Sequence, residues 1–531
     1  MTKPATPRVS TRATGVVGVA ILCSRVLGLI REQIFAGLFG AGRNLDAFLM
    51  AFRLPNLLRD LFAEGALSTA FITTFSQKIA REGDESAWRL ANKVATLTVV
   101  FMSAVTLLGI LFAPQLVNLF TWWSWSADKT ALTVLLTQIM WPFILLVSLA
   151  ALVMGMLNAK HVFGAPAMAS SYFNLGSIIA GVALGWWLDP HFGPKSLTGL
   201  AIGTLVGGFW QFSAQLPSLH RVGYRFRPDF NWRDEGVGAV LNIMGPAVIA
   251  ASAVQVNVLI NSIFAARLGD GPVSWLNIAF RLMQLPLGIF GVAIGTVTLP
   301  LASKTAAMGN VTEFRSVIAS GMRLAFLLTV PSAIGLAMLA SPIISVIYQH
   351  GRFTAEMTRN TSGALQFYAL GLVSYSALKV LTPAFYAIGR RKTPMLVSFL
   401  AIGTNLLLNW LFTFYLGWGH RGLALSTSVV ATINFVLLYL LMRGHTRRLE
   451  TRLLFIDLAK ICLAGAVLAA ICWLGNYLWL DRWEQFRLLA KVAVLLGVIA
   501  VAAGGFFGTA FLLRVSELQE MFLLVRRRLR R

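Results

Sequence analysis

The sequence predicts an all-α polytopic membrane protein with about fourteen transmembrane helices. Two six-helix lobes would surround a central cavity, and two further helices would follow at the C-terminal end. Three observations carry this. The 531 residues are 57% hydrophobic and only 12% charged, with a mean hydropathy of +0.72, far outside the soluble range. Apolar runs long enough to cross a bilayer recur along the whole chain. A short pattern in the first half returns in the second.

The candidate spans lie near 13–40, 45–76, 91–120, 131–157, 166–188, 197–218, 237–267, 273–303, 317–340, 357–388, 394–417, 421–442, 455–479 and 487–514. Each meets the requirement of about 20 apolar residues. Several are longer and must tilt or project beyond the bilayer. Residues 1–12 are polar and basic without an apolar core, so the first helix is expected to serve as its own insertion signal.

Loop charge sets the orientation. One alternate set of loops holds Lys78, Arg81 and Arg89; Lys160; Arg221, Arg225, Arg227 and Arg233; Lys304 and Arg315; Arg390, Arg391 and Lys392; and Arg443, Arg447, Arg448 and Arg452. The other set is poorer, with Arg43, Lys129, Lys195, Arg267, Arg352, Arg359, Arg421 and Arg482. The rich set and both termini are therefore assigned to the cytoplasm. Trp122, Trp123 and Trp125 then fall at the outer interface, where Trp is favoured. The net charge of +24, from 45 Lys+Arg against 21 Asp+Glu, reads as topogenic and lipid-facing rather than as a nucleic-acid surface.

The repeat pairs Ile34-Phe35-Ala36 and Ala51-Phe52-Arg53-Leu54 with Ile263-Phe264-Ala265 and Ala279-Phe280-Arg281-Leu282. The offsets are 229 and 228 residues. Both copies begin on an odd-numbered span, so the repeat is parallel, with its axis along the membrane normal. This divides the chain into an N-lobe at 1–220, a C-lobe at 221–445 and a final helix pair at 446–531.

Several chemistries are excluded. The chain has no Gly-Lys dipeptide and hence no Walker A loop, no H-E-x-x-H and no G-x-S-x-G elbow. Cys23, Cys462 and Cys472 sit in apolar runs without metal-ligand spacing. The six histidines are scattered over loops and helix ends. A membrane glycosyltransferase or lipid-phosphate enzyme would need an acidic metal motif such as D-x-D, and none is found. The reading is a transporter, not an enzyme, with no cofactor.

The informative residues are charges inside apolar helices. Arg25 lies near the middle of its span, with Arg31 about 9 Å further along. A charge at the bilayer centre costs about 2.5–3.5 kcal/mol on insertion scales. The second span carries Asp46, Arg53, Arg59, Asp60 and Glu64, with a kink expected at Pro55. Asp60 and Glu64 are four apart and need either an arginine or a proton between them. Pairing within a helix, for instance Arg59 with Glu64, is the plainer reading for any one arginine. It does not cover Arg281, which has no acid on its own span. A set of guanidiniums facing a water-filled cavity suits a phosphate-bearing ligand.

The runs Ser24-Arg25-Val26-Leu27-Gly28, Arg53-Leu54-Pro55-Asn56-Leu57-Leu58-Arg59 and Phe62-Ala63-Glu64-Gly65-Ala66 resemble those of the MurJ (MviN) lipid II flippases. So do Val273-Ser274-Trp275, Gly288 to Gly295, Gln349-His350-Gly351-Arg352-Phe353-Thr354 and Lys379 to Tyr386. The resemblance spans nearly the whole chain. It places the sequence in the multidrug/oligosaccharidyl-lipid/polysaccharide exporter superfamily. It implies movement of lipid II, the undecaprenyl-pyrophosphate-linked peptidoglycan precursor, from the inner to the outer leaflet of the bacterial cytoplasmic membrane. It also implies that the last helix pair forms a groove for the lipid tail.

By the same resemblance Arg31, Arg59 and Arg281 engage the pyrophosphate, and Ser24, Arg25, Asp46, Arg53 and Glu64 are functional positions. Phe280 and Gln284 stand beside Arg281 where some members carry acids. Some members hold sodium between helices seven and eleven. Here Asn405 and Asn409 are the candidates for a cation site, but no carboxylate accompanies them, and two amides at this spacing also suit an interhelical hydrogen-bond pair. Transport by alternating access would draw on the membrane potential or a monovalent cation. The partners implied are lipid II, membrane lipids and other cell-wall synthesis proteins. An exporter of another polyprenyl-linked saccharide, or of drugs, is the alternative within the superfamily.

Overall fold

The computed structural model describes residues 11–61, 67–122, 124–446, 448–480, 486–519 and 522. Among them all regular structure is helical. Trp123, Glu64 and the arginines of the C-terminal tail lie outside the described residues. The chain packs as two compact units, Met1–Gly271 and Pro272–Arg531.

The first unit runs α1 (Thr11–Phe39), α2 (Arg43–Leu58), α3 (Ser68–Glu82), α4 (Asp84–Leu111), α5 (Ala113–Thr121), α6 (Ala127–Met140), α7 (Phe143–Ala159), α8 (Gly164–Leu188), α9 (Ser196–Ser213), α10 (Leu216–Arg221) and α11 (Glu235–Ala266). The second runs α12 (Pro272–Pro286), α13 (Val292–Ala307), α14 (Val311–Met338), α15 (Ala340–Tyr348), α16 (Ala355–Ala387), α17 (Lys392–Trp410), α18 (Gly419–Thr446), α19 (Thr451–Leu478) and α20 (Leu488–Leu512). The polytopic all-α class is as the sequence predicts. Among the described residues each of the fourteen expected spans falls mainly on helix. Among the described residues ten helices are long and apolar enough to cross a membrane, or eleven with the bent α11 taken as one. The other three expected spans fall on α1, which carries Arg25, Arg31 and Glu32; on α2 with α3; and on the glycine-rich α9.

The breaks have local causes. The α1–α2 turn uses Gly40 at φ +68°, a left-handed conformation that glycine adopts without strain. The expected span at 91–120 divides at Phe112, two residues before Pro114, whose ring disfavours continuing the helix. The span at 131–157 divides at Trp141-Pro142 for the same reason. Polar groups bridge these joints: Trp141 Nε1 donates to Val105 O at 3.0 Å and Gln138 Nε2 to Ile110 O at 3.2 Å. The short α15 falls between two expected spans and was not anticipated.

The repeat has a structural counterpart. The helix α12 begins 229 residues after α2 and ends 228 after it. Both contain proline, Pro55 or Pro286, and both pass into a π-helical stretch, residues 59–61 in one and Leu287–Gly291 in the other. A proline lacks the N–H of a regular helix, so the winding relaxes around it.

Each unit has its own core. Phe71, Phe75, Leu90 and Met156 lie in that of the first. Phe314, Ile318, Met322, Phe385 and Phe506 lie in that of the second, which extends through Ile461 and Leu468 of α19. Only 17% of the apolar window of α20 is buried, against 67% for α6–α7, so α20 presents most of its surface outward. An ionic knot fixes the last helix pair. Arg323 on α14 bonds Glu517 beyond α20, meets Glu450 at 3.0 Å just before α19, and lies 3.7 Å from Asp457. Burial pushes the Glu517 carboxyl above its usual range, and Arg323 opposes that shift.

The helices α8 and α9 meet backbone to backbone. A Cβ on Gly203 would fall within the backbone of Gly181, and one on Gly199 within that of Gly185. Small residues of this kind let membrane helices approach closely. Gly203→Leu is therefore expected to force the pair apart at a cost of about 1–3 kcal/mol or more, read as a lowered unfolding temperature in detergent. Gly403→Ala, with open space around it, should melt at or above the wild-type temperature.

Candidate functional site

The charged residues of the first unit are positioned by α1, α2 and their neighbours. Ser24 sits where α1 crosses α8, and Asn174 Nδ2 donates to its carbonyl oxygen at 3.1 Å. Arg25, the next residue, is exposed. Arg31 is half-buried and its guanidinium lies 5.0 Å from the centroid of Phe173, also on α8. A flat guanidinium over a ring face keeps its charge while shedding water.

Asp46 in the first turn of α2 is fully buried. Its Oδ2 accepts from Gly271 N at 2.6 Å and lies 3.5 Å from Lys129 Nζ. Lys129 is itself 2% exposed. Its ammonium also reaches Asp270 at 2.7 Å and lies 3.7 Å from the Trp125 ring centroid. A lysine in the first turn of α6 faces the positive end of that helix dipole, and the two carboxylates and the indole offset that repulsion. Trp125 Nε1 donates to Ala266 O at 2.8 Å and closes the cluster. Asp46 thus acts as the hub of a charge lock between α2, α6 and the turn that follows α11. Lys129, read from the sequence only as a loop charge, is the central cation of that lock.

At the far end of α2 Arg59 is held by the residue next to it. Arg59 donates through Nε and Nη2 to Asp60 Oδ1, at 3.1 and 2.9 Å. Adjacent residues do not face each other on a regular α-helix, and here the backbone at 59–61 is π-helical. Asn56 Nδ2 and Gln255 Nε2 also donate to Asp60, at 3.4 and 3.3 Å. Glu64 lies outside the described residues. Arg53 is half-buried on the same helix.

In the second unit Arg281 is half-buried on α12, one residue after Phe280, whose ring packs 5.3 Å from that of Tyr368. Asn405 and Asn409 are both fully buried on α17. Asn409 Nδ2 donates to Asn405 Oδ1 at 2.9 Å, and Ser426 on α18 donates to Asn409 Oδ1. The two amides are engaged with each other and across to α18, as an interhelical hydrogen-bond pair would be.

Two chemistries are thus separated along α2. One end holds a closed, fully compensated lock. The other holds a half-buried guanidinium oriented by the Asp60 carboxylate, a group suited to an oxyanion. The lock predicts a specific sensitivity. Lys129→Met removes the cation from a buried Asp46 and should cost about 3–5 kcal/mol, seen as a large drop in unfolding temperature. Adding Asp46→Asn to that variant should recover part of the loss. A wild-type melting temperature for Lys129→Met alone would show that the lock does not hold the fold.

The chain was compared with known families and structures. The family model described as lipid II flippase MurJ matches residues 35–494. A curated protein of Vibrio cholerae, named probable lipid II flippase MurJ, is 34% identical over 94% of this chain and 95% of its own length. Another from Burkholderia cenocepacia, named lipid II flippase MurJ, is 37% identical over 81% of this chain and 83% of its own. A solved structure described as lipid II flippase MurJ in an inward closed conformation superposes with a TM-score of 0.76 at 26% identity. It covers 92% of this chain and 98% of that one. These matches lead to one conclusion: the chain belongs to the MurJ family of lipid II flippases.

Proposed function

We propose that this protein carries lipid II from the cytoplasmic to the outer leaflet of the bacterial inner membrane. The observation that carries the reading is the retention of half-buried arginines inside apolar helices, at Arg31, Arg59 and Arg281, in a member of this family. A pyrophosphate offers several oxygens to forked guanidinium donors, and Arg binds such groups through paired hydrogen bonds. In this proposal Arg59, oriented by Asp60, and Arg31, seated on Phe173, receive the pyrophosphate together with Arg281. Ser24, Arg25 and Arg53 shape the surrounding polar surface.

The transport cycle is proposed to be alternating access by two repeat-related lobes. The α19–α20 pair, outward-facing and anchored through Arg323, is proposed to guide the polyprenyl tail. Both termini are placed in the cytoplasm from loop charge. Energy is proposed to come from the membrane potential acting on cationic residues in the cavity. The Asn405–Asn409 pair is not proposed as a cation site, because both of its amide oxygens already accept hydrogen bonds.

The test is complementation in cells depleted of the protein, reading how much lipid II reaches the outer leaflet. Each charge-assisted contact is worth about 1.5–3 kcal/mol, roughly ten- to a hundredfold in affinity. Arg31→Ala, Arg59→Ala and Arg281→Ala should each fall at least tenfold below wild type while still inserting normally. Asp60→Asn should fall less, because it removes an orienting group and leaves the cation. Outward lipid II that persists without the protein would refute the reading.

A further inference from the structure

The segment between α10 and α11 has a build that flippase activity does not require. Residues 222–234 form no helix, yet their backbone is pinned to α4. Arg227 N donates to Asn92 Oδ1 at 3.2 Å and Asp229 N to Thr96 Oγ1 at 3.1 Å. Lys93 Nζ meets Asp234 Oδ2 at 2.6 Å. Burial raises the Asp234 carboxyl, but the bonds from Lys93 and Gly236 N more than offset it and hold it below the usual range. Tyr224 packs on Trp88 with ring centroids 5.3 Å apart.

On this fixed strap the outward residues are aromatic and basic in alternation. Phe226 is 52% exposed and Phe230 65%, and Trp232 is also exposed. Arg221, Arg225, Arg227 and Arg233 are exposed between and beside them. Against these four cations the strap carries Asp229, and Asp234 is neutralised by Lys93. A cavity of about 580 Å³ opens at the base of the strap, lined by Ser213, Leu216, His220, Tyr224, Arg225 and Phe226 among others. Tyr224 is 7% exposed, and its hydroxyl has no hydrogen-bond partner among the described residues.

We propose that this strap and cavity form a docking site for an anionic phospholipid of the cytoplasmic leaflet. The strap lies between two expected spans and loop charge assigns it to the cytoplasmic side, so its exposed Phe and Trp would sit in the headgroup layer, where aromatics are favoured. The arginines match a phosphodiester headgroup in charge and donor geometry. The cavity wall of Leu216 and Phe226 takes the upper acyl chain. The site is separate from the arginines assigned to lipid II and stands whether or not that assignment holds.

The test uses the full-length protein in detergent, with phosphatidylglycerol and phosphatidylcholine as probes and native mass spectrometry to count retained lipids. Wild type should retain phosphatidylglycerol in clear preference. Arg225→Gln should reduce that retention about fivefold, and Arg221→Gln with Arg225→Gln about fivefold further. Phe226→Ser should weaken both lipids. Arg391→Gln, an equal loss of charge on an exposed loop of the other unit, should leave retention unchanged. Equal retention of the two lipids by wild type would overturn the proposal. So would a loss with Arg391→Gln matching that with Arg225→Gln, since the effect would then be net charge and not a site.

Discussion

A charge inside an apolar helix bundle must find a counter-charge, a ring face or water, and this requirement organises the molecule. Asp46 and Lys129 satisfy each other at one end of α2. Asp60 satisfies Arg59 at the other. Arg323 gathers three carboxylates at the end of the second unit. The first and last of these pairings join separate elements and fix their register, which apolar packing alone does less sharply. The half-buried cations on α1, α2 and α12 stand on a frame held by these fixed pairs.

The division of labour along α2 follows from its winding. Its N-terminal end is regular, deeply buried and locked. Beyond Pro55 the helix becomes π-helical, a form often found at functional sites because it brings otherwise separated side chains together. The same change occurs after Pro286 in α12. Two helices related by an internal repeat thus soften at equivalent places, each a few residues from an arginine. A family resemblance names those arginines. The local backbone explains why they sit on these helices.

Much of the architecture was legible from the chain. Apolar runs of about 20 residues admit few alternatives in a sequence this hydrophobic, and the short repeat foretold the correspondence of α2 and α12. What escaped reading was tertiary or local in a way periodicity does not encode. Lys129 looked like a loop charge because its partners, Asp46 and Asp270, are far off in sequence. Arg59 was weighed against Glu64 as an acid borne on the same expected span. Among the described residues it meets the adjacent Asp60, where the winding departs from a regular α-helix. The α15 helix, nine residues long, is too short to register as a span.

The knot around Arg323 has a consequence for biosynthesis. Arg323 lies on α14, while Glu517 follows the final helix. The cation therefore enters the membrane well before the last of its carboxylates is made. Until residue 517 emerges, Arg323 has at most Glu450 and Asp457 for company, and the α19–α20 pair lacks its clasp. A chain released before residue 517 would therefore leave Arg323 without its contact to Glu517.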